Sequence, residues 1–277
     1  MNAQRIFDAK HYELSNKARS TFVREVLADV RKQLPLQTAL DVGCGLGYFS
    51  GLLHSMGIRV TAVDGRRENV EEAGRRVPQV EFHVLNAEDP GLTSLGRFDL
   101  VFCFGLLYHL ENPFLTIRNL HAMTAGVLLL ESVIFPGLDP IMGLVDEELV
   151  EDQGLNHIAF YPTEACLVKM LYRAGFLGVY QFTRLPDHED YHATGTNRRV
   201  RTILLASHVP LASGLSEIAV QPEFPIRPWD ASSGMKAPGL VASLRNFASK
   251  PVQEKMKTVK RLLGMRTTVQ PSQGRRD

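Results

Sequence analysis

Apolar positions along the first two hundred residues fall into two alternating patterns. Leu14, Ala18, Phe22, Val23, Val26, Leu27 and Val30 recur at helical spacing, which predicts a helix over 14–33 that Pro35 stops. Short apolar runs then read as strands: one ending at Asp41, Arg59–Val63 ending at Asp64, Val80–Leu85, Phe98–Phe104 and Val127–Ser132. Tyr48–Met56 between the first two has helical periodicity. Thr163 reads as an N-cap, Glu164–Ala174 as a helix and Gly175 as its C-cap. Gly178–Arg184 and Val200–Ser207 read as strands six and seven. Strands alternating with helices imply a largely parallel sheet covered on both faces. Such a sheet binds ligands at the carboxyl ends of its strands, where the strand order reverses.

Three stretches break the pattern. Residues 135–161 form a loop-rich insertion with Pro136, Gly137, Pro140, Gly143 and a run of acidic residues from Asp146 to Asp152. Residues 185–199 are polar, and 209–237 are rich in Pro, Ser and Gly without a clear period. Residues 239–263 predict an amphipathic basic helix broken near Pro251, and 266–277 a disordered end. The expected organisation is an N-terminal helical cap (1–35), a ligand-binding α/β domain (36–208), and a linker with a basic tail (209–277).

The first strand runs into Ala39-Leu-Asp-Val-Gly-Cys-Gly-Leu-Gly-Tyr48. A strand, a tight glycine turn and a helix start make a nucleotide-binding corner, because glycines let backbone approach a ligand and adopt positive φ. The spacing of Gly43, Gly45 and Gly47 departs from Gly-x-Gly-x-x-Gly, with Tyr48 where a dinucleotide site wants its last glycine. Asp41 disfavours a phosphate and favours a ligand bearing a cation. Asp64 follows the second strand about 20 residues after the glycines, placed to accept from both ribose hydroxyls.

These motifs, with Asn86-Ala87-Glu88 after the third strand and Gly105-Leu-Leu-Tyr108-His109 after the fourth, resemble class I S-adenosylmethionine-dependent methyltransferases over residues 36–207. The resemblance implies a three-layer, doubly wound Rossmann-like α/β fold with strand order 3-2-1-4-5-7-6 and the last strand antiparallel. It implies S-adenosyl-L-methionine held by Asp41, Gly43, Gly45, Gly47, Asp64, Gly65, Asn86, Ala87, Glu88, Phe104 and Gly105, with the adenine edge read near 86–88. The loop after the fourth strand would face the methyl group and the acceptor.

Methyl transfer from a sulfonium is an in-line displacement in which alignment supplies much of the rate. A base is needed only for an acceptor protonated at neutral pH. His109 is the candidate base, since imidazole titrates near neutrality; the alternative is a helix-start histidine that packs or orients Tyr108. Tyr108 is a candidate pocket wall or sulfonium contact. Tyr12, His157 and Tyr161 are candidate acceptor contacts, and Phe7 and His11 candidate covers. Arg198, Arg199 and Arg201 suit an anionic substrate group or an exposed strand edge. Asp187–His192 holds metal-capable side chains without a second cluster, so no metal is expected.

Composition adds compartment and partners. Of 277 residues 44% are hydrophobic, enough for one large domain with additions. Cys44, Cys103 and Cys166 show no metal spacing and fit reduced thiols. The N-terminus lacks the apolar stretch of a signal peptide, and a cytoplasmic location is expected. Net charge is +1, but residues 236–277 hold ten Lys/Arg against two Asp/Glu, while the rest holds 21 against 28. A basic tail on an acidic body suits nucleic acid or an anionic membrane, or docks on the body itself.

The leading expectation is O- or N-methylation of a small-molecule acceptor, such as a secondary metabolite or a sugar precursor. A second keeps the cofactor and changes the partner: Leu-Tyr108-His109-Leu followed by Pro113, and later Phe160-Tyr-Pro162-Thr, are similar to enzymes that modify tRNA wobble uridine with a carboxylated S-adenosylmethionine. A third is a non-catalytic S-adenosylmethionine-binding protein that docks through its basic tail.

Overall fold

The computed structural model describes residues 6–148, 150, 153–193, 198–212, 214 and 216–222. The chain divides into a larger unit, 1–192 with 199–222, and a smaller one, 193–198 with 223–277. Every strand and helix among the described residues belongs to the larger unit. The basic helix expected over 239–263 and the end at 266–277 lie outside the described residues.

Helix α1 (Lys10–Val30) starts four residues before the apolar spacing suggests. It is followed by β1 (Thr38–Val42), α2 (Tyr48–Ser55), β2 (Arg59–Asp64), α3 (Arg67–Arg76), β3 (Glu81–Val84) and β4 (Phe98–Phe104). Then come α4 (Pro113–Met123), β5 (Thr124–Val133), β6 (Met142–Asp146), β7 (Ile158–Pro162), α5 (Glu164–Ala174), β8 (Gly178–Phe182), β9 (Arg201–Ser207) and β10 (Ser216–Ile218).

Eight strands form one sheet in the order β10-β8-β9-β5-β4-β1-β2-β3. The first five strands run parallel, and β9 lies antiparallel between β5 and β8. The expected order 3-2-1-4-5-7-6 is present, with one further edge strand, β10, paired antiparallel to β8. Three residues within a Pro/Ser/Gly-rich stretch carry no periodic signal, so that strand was not foreseen.

The period of two along each strand sorts side chains to opposite faces. Val101, Cys103, Leu128 and Leu130 join Ile117 and Leu120 of α4 and Leu167 and Leu171 of α5. Leu100, Phe102, Val127 and Leu129 join Phe22, Val23, Val26 and Leu27 of α1 and Leu53 of α2. Both faces of the central strands are therefore covered, which is why they read as continuous apolar runs. Thr163 Oγ1 accepts from the Cys166 N–H (3.1 Å), and Gly175 ends α5 with φ 119°.

The loop-rich insertion is the main departure. β6 and β7 pair antiparallel as a separate two-stranded sheet, Met142 opposite Pro162 and Asp146 opposite Ile158. Most β6 residues are exposed, so no apolar alternation marks the strand. No helix among the described residues is long and apolar enough to cross a membrane.

Candidate active site

A cavity of about 410 Å³ opens at the carboxyl ends of β1, β2, β3 and β4. β1 and β3 lie on opposite sides of β2, and β4 turns the order back across β1. The cavity thus occupies the place that the crossover rule assigns to a ligand.

The glycine turn forms its floor. The Gly43 and Cys44 N–H groups donate to the Val63 carbonyl (2.9 and 3.0 Å), pinning the turn to β2. Gly43, Gly45 and Gly47 all have positive φ (77°, 53° and 80°). Their surroundings differ. A Cβ on Gly43 would lie 2.9 Å from Leu106, and one on Gly47 would lie 3.1 Å from Phe82. A Cβ on Gly45 would meet no protein atom within 4 Å. Gly43 and Gly47 are thus demanded by packing, whereas Gly45 faces open space in the cavity wall.

Asp64 ties the glycine turn to the end of β2 in the cavity wall. Its carboxylate accepts from the Gly45 N–H (2.9 Å), the Arg66 N–H (2.9 Å) and the Asn69 amide (3.2 Å). Burial raises its pKa above the usual carboxylate range, and the two backbone donors oppose the rise. An ionised carboxylate offers about four acceptor positions, so the protein's three donors leave capacity for a ligand hydroxyl. Gly65 lines the wall beside it, close against Leu155.

Asn86, Ala87 and Glu88 line the next stretch of wall. Asn86 Oδ1 accepts from the Glu88 N–H (3.0 Å). The Glu88 carboxylate accepts from the Glu111 and Asn112 N–H groups (3.2 and 2.6 Å) and the Asn112 amide (3.1 Å). It therefore ties this turn to the start of α4, where Pro113 occupies the first helical position. Phe104 stacks on Phe102 (4.0 Å between centroids) and, with Gly105, forms the wall after β4.

Tyr108 and His109, both buried, close the deep end. His109 Nδ1 lies 2.8 Å from the Glu147 carboxylate. Arg19 and Arg201 also line the cavity. Both reach Glu131, a fully buried carboxylate on β5: Arg201 Nη1 donates to Oε1 (2.9 Å), Tyr191 Oη donates to the same oxygen (2.9 Å), and Arg19 Nη2 lies 3.5 Å from it. Arg201 Nη2 also donates to Tyr108 Oη (3.3 Å), with the guanidinium 5.6 Å from the ring centre. Burial alone would push the Glu131 pKa up, but Arg201 and Arg19 outweigh it and hold it below the usual range. Burial raises the Tyr108 pKa and keeps its hydroxyl protonated.

The N-terminal segment covers the mouth. Phe7, Asp8 and Tyr12 line it, and Tyr12 packs against Phe7 and His11 (5.5 and 4.5 Å between centroids). Asp8 accepts a bidentate pair from Arg76 of α3 (2.7 and 2.8 Å). Both partners are partly exposed, so the pair positions the segment more than it stabilises the fold.

Three expected site residues fall elsewhere. Asp41 does not line the cavity. Its side chain is directed beneath the glycine turn, 2% exposed, and accepts from Ser50 Oγ at 2.6 Å. Strand alternation turns it toward α2 rather than past the strand end. His157 is exposed and lies outside the lining; its φ of 59° belongs to the turn into β7, where its carbonyl accepts from the Glu147 N–H. Tyr161 stands behind Tyr108, 6.0 Å between centroids, and does not reach the cavity wall. Arg199 pairs with Glu164, so it is not free for a substrate anion.

Sequence reasoning missed Arg19, Glu131, Arg201 in its buried role, Glu147 and residues 153–155, whereas Asn156, expected in the acceptor wall, does line the cavity. Two signals were present. Arg19 interrupts the apolar face of α1, and Glu131 ends the apolar run of β5. A lone charge on a buried face needs a partner.

Residues 40–126 match the family model described as a methyltransferase domain. That stretch thus carries a methyltransferase domain. It is 31% identical over 169 residues to the tRNA U34 carboxymethyltransferase of Tolumonas auensis, covering 58% of this chain and 49% of that one. It is 30% identical over 148 residues to the ubiquinone biosynthesis O-methyltransferase of Psychrobacter arcticus, covering 50% and 58%. The chain thus spans about half the length of these curated relatives. Among solved structures, the N-terminal domain of EvdMO1 with S-adenosylhomocysteine bound superposes with a TM-score of 0.58 at 22% identity, covering 72% of this chain and 84% of that one. That likeness concerns the fold.

Proposed function

We propose that this protein transfers the methyl group of S-adenosylmethionine to an oxygen or nitrogen of a small-molecule acceptor. The observation that carries the reading is the pairing of Asp64 with Gly45. A carboxylate with spare acceptor capacity stands beside a glycine whose missing side chain leaves the cavity open. These residues fit an adenosyl ligand: Asp64 holds the ribose, the 86–88 turn borders the adenine, and Gly43–Gly45 approach the amino-acid end. The bound donor supplies an activated methyl group. The chain's own residues hold it in line with the acceptor and exclude water, with Phe104, Tyr108 and His109 walling the reacting end.

Two substitutions test the assignment. Asp64→Ala removes charge-assisted hydrogen bonds worth about 1.5–3 kcal/mol, so the Kd for S-adenosylmethionine rises by roughly 10- to 150-fold in calorimetric titration. Unchanged affinity in a folded variant contradicts the ribose assignment. Gly45→Val strains a left-handed residue by about 1–2 kcal/mol, yet its Cβ meets no protein atom within 4 Å. The folded variant loses adenosyl binding; retained affinity means the turn does not approach the ligand.

One observation favours a second reading. A carboxylated donor, as used by enzymes that modify tRNA wobble uridine, needs a cation near the methyl group, and Arg201 lines the cavity against Tyr108. A tRNA acceptor predicts an affinity that falls steeply with salt and drops when 236–277 is deleted.

A further inference from the structure

We propose that Glu147 is a positioning residue that fixes His109 as the Nδ1–H tautomer, leaving Nε2 as a proton acceptor for a hydroxyl on the methyl acceptor. This rests on the methyltransferase reading of the cavity and narrows it to an oxygen acceptor that arrives protonated.

The geometry comes from two separate parts of the chain. His109 sits at the end of the short helical turn Leu107–His109 after β4, lines the cavity and is 9% exposed. Glu147 follows β6, in the insertion, and its side chain is 2% exposed. The carboxylate lies 2.8 Å from Nδ1. An ionised carboxylate only accepts, so the proton on this contact belongs to Nδ1. No other hydrogen bond to the imidazole exists among the described residues, and Nε2 is the nitrogen left for the cavity.

The carboxylate is itself held. Glu147 Oε2 accepts from the Gly154 N–H (2.9 Å). Gly154 has no room for a side chain: a Cβ there would lie 2.8 Å from the His109 carbonyl oxygen and 3.0 Å from Glu147 Oε2. The Gln153 and Gly154 carbonyls accept from Arg66 Nη2 (2.6 and 3.3 Å), two residues beyond Asp64. The segment that orients the histidine is thus fastened to the wall that receives the ribose.

An arrangement of acid, imidazole and open Nε2 is what general-base catalysis requires: the orienting group selects the tautomer and steadies the imidazolium that forms. Nε2 takes the hydroxyl proton while the acceptor oxygen forms its bond to the methyl carbon. The carbon–sulfur electron pair stays on sulfur, which becomes a neutral thioether, and the imidazolium then loses its proton to water. A neutral amine acceptor would not need this dyad.

The test is nitrogen NMR of histidine-labelled protein above neutral pH, with His109 assigned by its loss in His109→Asn. Wild type shows a pyrrole-type Nδ1 and a pyridine-type Nε2. Glu147→Leu moves the ring toward the opposite tautomer, and Glu147→Asp restores the wild-type signature in part. A pyrrole-type Nε2 in wild type overturns the proposal without any variant, as does an unchanged spectrum in folded Glu147→Leu. Calorimetry with S-adenosylhomocysteine on the same samples separates the two claims. Wild type binds if the cofactor reading holds, and absence of binding by wild type defeats that reading whatever the tautomer.

Discussion

Glu131→Ala lowers the stability of the fold by about 3–5 kcal/mol, the loss typical of breaking a buried ion pair from one side. Glu131 is fully buried on β5, opposite Ile203 of β9, and its Oε1 accepts from Arg201 and Tyr191. Arg19 and Arg201, with side chains only 9% and 18% exposed, would be left without their shared buried carboxylate. Asp190, 3.4 Å from Arg201 and about one third exposed, compensates little. Urea unfolding by circular dichroism measures the loss, with wild type and variant compared at neutral pH. The same group sets an acid limit. Its folded pKa lies below its unfolded value, so its contribution is full above the unfolded pKa, near 4.5, and fades as pH falls through the folded one. Glu131→Gln therefore flattens the acid side of the stability profile. A loss below about 1 kcal/mol for Glu131→Ala would mean that the arginines repartner with solvent.

Asp41 predicts the opposite slope. Burial pushes its pKa up to about 7, against the Ser50 hydrogen bond that lowers it. A folded pKa above the unfolded one means that the native state binds more protons between about pH 4 and 7. Stability from this group therefore falls as pH rises through that window and is constant above it. Three pKa units correspond to about 4 kcal/mol, so the stability of wild type relative to Asp41→Asn declines by up to about that amount from pH 4 to pH 8. Comparing the difference across pH removes any constant packing cost of the substitution. Parallel profiles would show that Asp41 keeps an ordinary pKa, through water or a bound ammonium group beneath the turn.

In the central sheet β1, β4 and β5 were readable because they are buried on both faces, and β2 and β3, nearer the edge, still show as short runs with apolar positions. Asp64, Gly65, the 86–88 turn and Gly105–His109 lie at the ends of such runs, and strand-end position alone brings them to one cavity. Asp41 shows the limit of that logic. It is at a strand end too, but the pleat turns it inward, and one residue of register separates a cavity wall from a buried carboxylate. His157 and Tyr161 failed for a different reason. They lie on the β6–β7 hairpin, just before β7 and within it, where burial does not alternate from residue to residue and the partner strand β6 is mostly exposed, so their directions had no signature. Glu147 meets His109 only through that hairpin, across 38 positions of chain, a contact that no local pattern encodes. Arg19 and Glu131 were visible as charges on apolar faces. Their pairing depends on β5 and α1 meeting across the sheet, which only the folded topology supplies.

The most direct test of the cofactor assignment is calorimetric titration of the 277-residue chain with S-adenosylmethionine, S-adenosylhomocysteine and NAD. Both adenosyl ligands are expected to bind with one site per chain. NAD is not, because Tyr48 stands where a pyrophosphate site requires a glycine. NAD binding, or the absence of binding by either adenosyl ligand to folded protein, would contradict the assignment.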